Sequence, residues 1–311
     1  MKTILITGVA GFIGSNLAKR LIEEGYNVIG IDNLSSGVRE QVPKEVLFFE
    51  GDIRETYFFP LVRGVDCIFH LAAKNCINDC QLNPKDTFDI NIMGTQNVLQ
   101  AAKIHKVRKF IYAESSAVYE GSEIYPTPEW EFKPQSFYAL SKASGKMLID
   151  GYARYYNINT TSLRYFCVYG PYQDYRRSIP PLFSSFIIKL LKGQTPIIYG
   201  DGSKRRDFIY VDDINDFHIQ CIENSQTDGK TFNLGSGRNY SVTEILNIIS
   251  KQMGKEDIIP YYKDDLPGET FQNLADITEA MQIGWYPKTS LEDGLQQSIQ
   301  YISKQIQEQE I

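Results

Sequence analysis

Residues 3–32 read TILITGVAGFIGSNLAKRLIEEGYNVIGID. The stretch divides into three. TILITG (3–8) is a short β-branched run, which favours a strand. GFIGSNLAKRLIEEG (11–25) carries apolar residues at helical spacing and stops at Gly25. NVIGID (27–32) is a second strand. A strand, a glycine-rich turn, a helix and a second strand in that order predict a parallel βαβ unit. Further strands follow at VLFFEGD (46–52), DCIFHLAA (66–73), KFIYAES (109–115) and TTSLRYF (160–166). Helical stretches near 83–104 and over 138–156 separate them. Near-continuous apolar strands alternating with helices imply a sheet covered on both faces, so the fold class is α/β, doubly wound and parallel.

The pattern loosens beyond residue 167. The expectation is a dinucleotide-binding domain over 1–167, with contributions from about 205–235, and a smaller C-terminal α/β lobe over 168–311 that binds substrate. In that lobe YGPYQDYRRSIPPLF reads as a loop leading to a helix that ends near Leu191. TPIIYGDGSKRRDFIYVDD gives two short strands around a glycine-rich turn. SVTEILNIISKQMG is a helix with Ser241 and Glu244 as its capping box and Gly254 as its stop. The tail from Ser290 is helical, then polar and frayed. No internal repeat or low-complexity linker interrupts the chain.

Composition narrows the classes of function. The chain has 311 residues, 42% hydrophobic and 23% charged, enough for a sizeable core. A formal net charge of −6 argues against nonspecific nucleic-acid binding. No apolar run is long enough to span a bilayer, and MKTILITG lacks the h-region of a signal peptide, so the expected compartment is the cytoplasm. The five cysteines are odd in number and scattered, as reduced thiols are. Cys76 and Cys80 lie near His70, but no second Cys/His pair completes a metal site; no metal is expected.

Gly8, Gly11 and Gly14 sit where the first strand turns into the first helix. There glycines let the backbone approach a pyrophosphate, and the helix N-terminus offers its N–H groups and dipole. The bland alternative is an ordinary strand–helix turn. Asp32 argues against it, standing 18 residues past Gly14 at the end of the second strand. A carboxylate there accepts from both ribose hydroxyls of an adenosine and repels a 2′-phosphate, and no Arg follows immediately. The expected cofactor is NAD rather than NADP. Asp52, ending the third strand, reads equally as an adenine contact or a turn residue.

Tyr138 and Lys142 are four apart on one helical face. A nearby ammonium is expected to lower the tyrosine pKa toward neutrality, making it a general base for alcohol oxidation and a general acid in reverse. Ser115 ends the fifth strand, on the sheet edge where open α/β folds bind ligands, and can share the substrate oxygen.

The motifs TGVAGFIGSNL, IDNLSSG, HLAA, INIMGTQNVL, ESSAVY, YALSK, LRYFCVYGP and RRDFIYVDD occur in this order across nearly the whole chain. Together they resemble the extended short-chain dehydrogenase/reductases, in the nucleotide-sugar epimerase/dehydratase branch. The resemblance implies a Rossmann domain holding NAD and a C-terminal lobe binding a nucleoside-diphosphate sugar. It implies Ser115, Tyr138 and Lys142 as the catalytic set. For the cofactor it implies Gly8, Gly11, Phe12, Ile13, Gly14, Asp32, Asn33, Ser36, Gly37, Asp52, Ile53, Leu71, Ala72, Ala73 and Tyr165, besides Tyr138 and Lys142. For the substrate it implies Lys74, Ser116, Cys167, Tyr199, Arg206 and Asn273. It also implies a homodimer through the helices near 83–104 and 138–156.

Within that branch the resemblance favours 4-epimerisation through a transient 4-keto sugar. The dehydratases carry an Asp-Glu pair after the Ser/Thr, and this chain has Ser116 and Ala117 instead. Glu114 and Glu120, the latter where the family usually has Gly, keep a 4,6-dehydratase as the alternative; otherwise they read as solvated or hydrogen-bonded loop residues. A non-catalytic NAD-binding regulator is more remote, because Tyr138 and Lys142 are both intact. Two substrate positions depart from the family pattern: Cys167 replaces an Asn, and Leu266 replaces an Arg that reaches the diphosphate. Arg176 and Arg177 are candidate replacements. Asn273, smaller than the family's pocket-closing Tyr, is compatible with N-acetylated sugars, and the nucleotide is taken as UDP by family default.

Overall fold

The computed structural model describes residues 1–176, 180–265 and 270–309. The first half runs β1 (Thr3–Thr7), α1 (Phe12–Glu23), β2 (Asn27–Asp32), β3 (Leu47–Glu50), β4 (Cys67–His70), α2 (Ile77–Leu82), α3 (Pro84–Phe88), α4 (Thr95–His105), β5 (Lys109–Ser115), α5 (Phe137–Tyr156) and β6 (Asn159–Tyr165). The second half runs β7 (Cys167–Tyr169), α6 (Leu182–Leu191), β8 (Ile197–Tyr199), β9 (Arg205–Tyr210), α7 (Val211–Glu223), β10 (Lys230–Leu234), β11 (Asn239–Ser241), α8 (Val242–Met253), β12 (Tyr261–Lys263), α9 (Thr278–Gln282) and α10 (Leu291–Gln309).

Seven strands form one sheet in the order β10-β6-β5-β4-β1-β2-β3, every pairing parallel. The strand order reverses between β1 and β4, which opens the crevice where such sheets bind ligands. Two apolar layers cover it. One runs from Ile4 and Ile6 through Leu17 and Phe69 to Phe217 and Phe232. The other gathers Leu5, Ile68, Phe110, Tyr112, Val98 and Ile149. Odd and even strand residues thus serve opposite layers, as the pleat requires.

The helical stretch expected near 83–104 is more broken than a single helix. Asn83 caps α3, with Pro84 in its first turn, and a π-helical segment, Asp89–Gly94, precedes α4. The wider turn brings Asn91 into the interior. In the second half, the two strands expected around the glycine-rich turn are present but belong to different sheets. β8 pairs with β12, whereas β9 pairs with β7 and β11. Gly200 and Gly202, at φ +74° and +78°, redirect the chain between them. α8 carries the expected capping box of Ser241 and Glu244 and ends at left-handed Gly254. α10 stays helical to Gln309.

Candidate active site

The cofactor end is built from backbone that excludes side chains. Gly8 has φ +76°, and a Cβ there would stand 2.7 Å from the Ala72 nitrogen. A Cβ on Gly14 would overlap the Gly8 carbonyl oxygen and lie 2.9 Å from its carbon. Gly11 is the N-cap of α1 and supplies no side-chain cap, so the first-turn amides, those of Phe12 and Ile13 among them, remain available to an anion. This cradle fits a dinucleotide pyrophosphate. Asp32 is positioned by the Ala10 and Leu34 amides, each 2.9 Å from a carboxylate oxygen. Gly37 lies close by, with a Cβ there 2.9 Å from Asp32 Oδ1; Ser36 is exposed.

Asp52 is more occupied than an adenine contact would suggest. Its oxygens accept from Arg54, including Arg54 Nε at 3.0 Å, and from Asn33 Nδ2 at 3.0 Å. The Arg54 guanidinium holds its carboxyl down at about 2. A base edge there has to displace one of these donors. Ile53 is buried. Leu71, Ala72 and Ala73 follow β4, half-buried beside the glycine turn. The Tyr165 hydroxyl is bonded to His218 Nε2 at 2.7 Å.

A buried hydrogen-bond chain joins the two halves of the site. Thr95 donates to the Asn91 carbonyl at 2.7 Å, so its oxygen must accept from His70 Nε2 at 2.8 Å. His70 Nδ1 then accepts from Thr7, 2.7 Å away. His70 is therefore the neutral Nε2–H tautomer, and burial lowers its pKa to about 3. Asn91 grips the Lys74 backbone at both N–H and C=O and donates to Ser141 Oγ at 2.9 Å. Ser141 donates to the Tyr138 carbonyl at 2.7 Å. Asn91 and Thr95 belong to the INIMGTQNVL motif, whose spacing alone did not point to this role. The Lys74 ammonium is held by Asp86 at 2.7 Å.

At the chemical end, Ser115 closes β5 while Tyr138 and Lys142 sit in the first two turns of α5. The Ser115 oxygen accepts the Ala117 amide at 3.2 Å, and Ser115 favours the ionised form of the neighbouring Tyr138. Ser116 follows, half-buried, at the start of the short 3₁₀ turn Ser116–Tyr119. Lys142 Nζ donates to the Ala113 carbonyl at 2.8 Å.

The expectation that Lys142 lowers the tyrosine pKa does not hold in this structure. Burial raises the Tyr138 phenol to about 12, and Ser115 offsets only part of that. Burial also lowers Lys142 to about 8, against the pull of the Glu114 carboxylate. In both groups desolvation is the leading cause.

Of the two glutamates, Glu120 is a hydrogen-bonded loop residue, as its blander reading has it, whereas Glu114 is not in a loop. Glu114 lies in β5, buried, with its carboxylate 3.0 Å from Arg164 Nε on β6. The approach lies off the N–H axis, so charge holds the pair. Glu120 accepts from Ser136 N at 2.7 Å and Ser136 Oγ at 2.8 Å, fixing the N-cap of α5.

Cys167, Tyr199 and Arg206 meet around one cavity of about 380 Å³, together with Lys204, Phe208, Gln173 and others. Asn273 joins them: its Nδ2 donates to Cys167 Sγ at 3.7 Å, and its Oδ1 accepts the Asp207 amide at 2.7 Å. Arg206 is oriented through the Arg205 and Phe271 carbonyls. Lys204, paired with Asp265, was not anticipated; it stands just before β9, two residues ahead of Arg206. Arg176 lies over Tyr175. Leu266 and Arg177 fall outside the described residues.

With this geometry in view, residues 4–235 match the NAD dependent epimerase/dehydratase family. The chain belongs to that family. It is 35% identical to a putative UDP-glucose 4-epimerase of Methanocaldococcus jannaschii, covering 96% of this chain and 98% of the relative. Its structure resembles a UDP-glucose 4-epimerase of Thermotoga maritima with UDP-glucose, at TM-score 0.94 and 35% identity, covering 98% and 99% of the two chains. It also resembles a UDP-N-acetylglucosamine 4-epimerase of Methanobrevibacter ruminantium in complex with UDP-N-acetylmuramic acid, at TM-score 0.93 and 32% identity, covering 98% and 99%. The chain is an NAD-dependent enzyme of nucleotide-sugar epimerisation.

Proposed function

We propose that the enzyme inverts C4 of a UDP-linked hexose or N-acetylhexosamine through a 4-keto sugar, using Ser115, Tyr138 and Lys142. The observation that carries this reading is the convergence of Ser115, at the end of β5, with Tyr138 and Lys142 on the first two turns of α5, where Lys142 Nζ is bonded to the Ala113 carbonyl of the same strand at 2.8 Å. Ionised Tyr138 takes the proton from the sugar O4 and later returns it. Ser115 donates to the same oxygen, which restrains the sugar while the proton moves. Bound NAD supplies the hydride acceptor and, on return, the donor. Lys142, anchored on the Ala113 carbonyl, places a positive charge beside the phenolate and can reach a cofactor ribose.

The occupied carboxylates support epimerisation over 4,6-dehydration. Dehydration needs a further acid and base, yet Glu114 is paired with Arg164 and Glu120 is bonded to Ser136. The cavity lined by Cys167, Tyr199 and Arg206 is assigned to the nucleotide and diphosphate, with Arg206 the phosphate contact. Asn273, bonded to Cys167, leaves room for an N-acetyl substituent in this reading. The Rossmann domain takes residues 1–167 with contributions from about 205–235, and the substrate lobe 168–311. The assembly is a homodimer through the helices near 83–104 and 138–156, whose outer faces expose Met93, Leu140 and Met147. The compartment is the cytoplasm and the role is in carbohydrate biosynthesis.

Proton NMR of the purified protein with UDP-glucose and UDP-N-acetylglucosamine, without added NAD, tests the reaction. The corresponding C4 epimers are expected. A 4-keto-6-deoxy product would refute the epimerase reading.

A further inference from the structure

The turn after Ser115 and the helix carrying Tyr138 are separated by the loop 120–136, and the base of that loop is tied shut. Lys133 N donates to the Val118 carbonyl at 2.8 Å, and Gly121 N to the Lys133 carbonyl at 3.0 Å. Glu120 completes the closure. Its Oε2 accepts from Ser136 N at 2.7 Å and Gln135 N at 3.3 Å, and its Oε1 accepts from Ser136 Oγ at 2.8 Å. Ser136 is the N-cap of α5, with its oxygen accepting the Ala139 amide at 3.1 Å. Gln81 on α2 takes the Phe137 amide at 2.8 Å. The first turn of α5 is therefore gripped from two other elements, with Tyr138 in its middle. Glu120 also ends the 3₁₀ turn that begins beside Ser115, its own amide bonded to the Ala117 carbonyl at 3.1 Å.

We propose that Glu120 is a positioning residue for the reaction: it ties the Ser115 turn to the Tyr138 helix so that both hydroxyls address one substrate oxygen. The proposal rests on the catalytic reading of Ser115, Tyr138 and Lys142 given above. A carboxylate suits the place for two reasons. It accepts three donors at once, which a neutral amide cannot do with one oxygen, and its charge complements the helix N-terminus. Its charge also opposes ionisation of Tyr138, so the tether works at some expense to the base it positions. The groups around Tyr138 are Lys142 on its own helix, Cys80 from α2, Ser115 from β5 and Glu120 from the turn. Glu114 acts on Lys142 from behind.

The test compares Glu120→Gly, Glu120→Gln and Tyr138→Phe as purified holoenzymes, measuring kcat, KM, bound NAD and the pH profile of kcat with UDP-glucose. Glu120→Gly removes every side-chain bond, and a loosened serine–tyrosine geometry is expected to lower kcat about 10- to 100-fold. KM and NAD content should stay near wild type. Glu120→Gln keeps one strong acceptor and should recover most of kcat. In both Glu120 variants the acid limb of the profile should move to lower pH, because a negative charge near the phenol has gone. A kcat within twofold of wild type in Glu120→Gly, with the limb unmoved, overturns the proposal. Parallel loss of kcat, substrate affinity and NAD, with no limb shift in Glu120→Gln, also overturns it by showing a folding role only. Full activity in Tyr138→Phe would instead overturn the catalytic reading on which it stands.

Discussion

Replacing Glu114 with Gln should destabilise the protein by roughly 3 kcal/mol, the low end of the range for breaking a buried ion pair from one side. Glu114 is 2% exposed and Arg164 4% exposed. The variant keeps the volume and removes the charge opposite a guanidinium that stays buried. Arg164 is not left bare, because Nη1 still donates to Tyr119 Oη and the Glu129 carbonyl, each at 2.7 Å. Burial pushes the Glu114 carboxyl above its ordinary value despite Arg164, so the carboxylate itself is held at a disadvantage. Both facts place the expectation at the low end. Arg164→Met should cost more, since it strands the carboxylate and also frees the Tyr119 and Glu129 acceptors. The double variant should recover part of the loss, with a coupling of at least about 1.5 kcal/mol between sites in direct contact. Urea unfolding of all four proteins measures this, and thermal scans should show Glu114→Gln falling by about 4–5 °C. Single effects that add to within about 0.5 kcal/mol would refute the reasoning.

Four further outcomes are expected. Tyr138→Phe should lower kcat by about 10²- to 10⁴-fold, the usual range for a general acid–base, while NAD released on denaturation stays at the wild-type amount. Gly14→Ala should purify without NAD, because its methyl group overlaps the Gly8 carbonyl; spectrophotometric NAD content checks it. Arg206→Met should raise the KM for a UDP-sugar about 10- to 100-fold, the worth of a charged hydrogen bond, with kcat little changed. Lys142→Met should abolish turnover and expose a pH linkage in the cofactor-stripped protein. Lys142 titrates near 8 when folded, below its ordinary 10.5, so wild type carries the full penalty of a buried charge below pH 8. That penalty fades as pH rises to 10.5. The stability advantage of the variant over wild type should therefore shrink by roughly 3 kcal/mol across this window, as read by urea unfolding at each pH.

Local features were the legible ones. The first βαβ unit and the Ser241–Glu244 cap are written in contiguous residues, and the structure forms both. The three-residue strands β7, β11 and β12 were not anticipated, because each is defined by a partner distant in sequence. The same limit hid the Glu114–Arg164 pair, which exists because β5 and β6 place the two residues opposite each other. The motif spacing pointed to Ser115, Tyr138 and Lys142, and the fold brings them to one sheet edge. Their protonation did not follow from spacing. It depends on burial by elements from across the chain, and there desolvation exceeded the attraction between neighbours.

β10 lies at one end of the seven-stranded sheet, beside β6, although 64 residues intervene between Tyr165 and Lys230. A growing chain reaches β6 long before the strand that covers its edge exists. During that interval Thr161–Tyr165 presents an unpaired row of backbone donors and acceptors, the kind of edge that recruits other chains. Fragments ending near residue 167 should therefore aggregate, while those extending past Leu234 can close the sheet. Synthesis of residues 166–234 is in this sense a step in finishing the sheet begun before them, and the interval before β10 emerges is when the nascent protein is most exposed to misassociation.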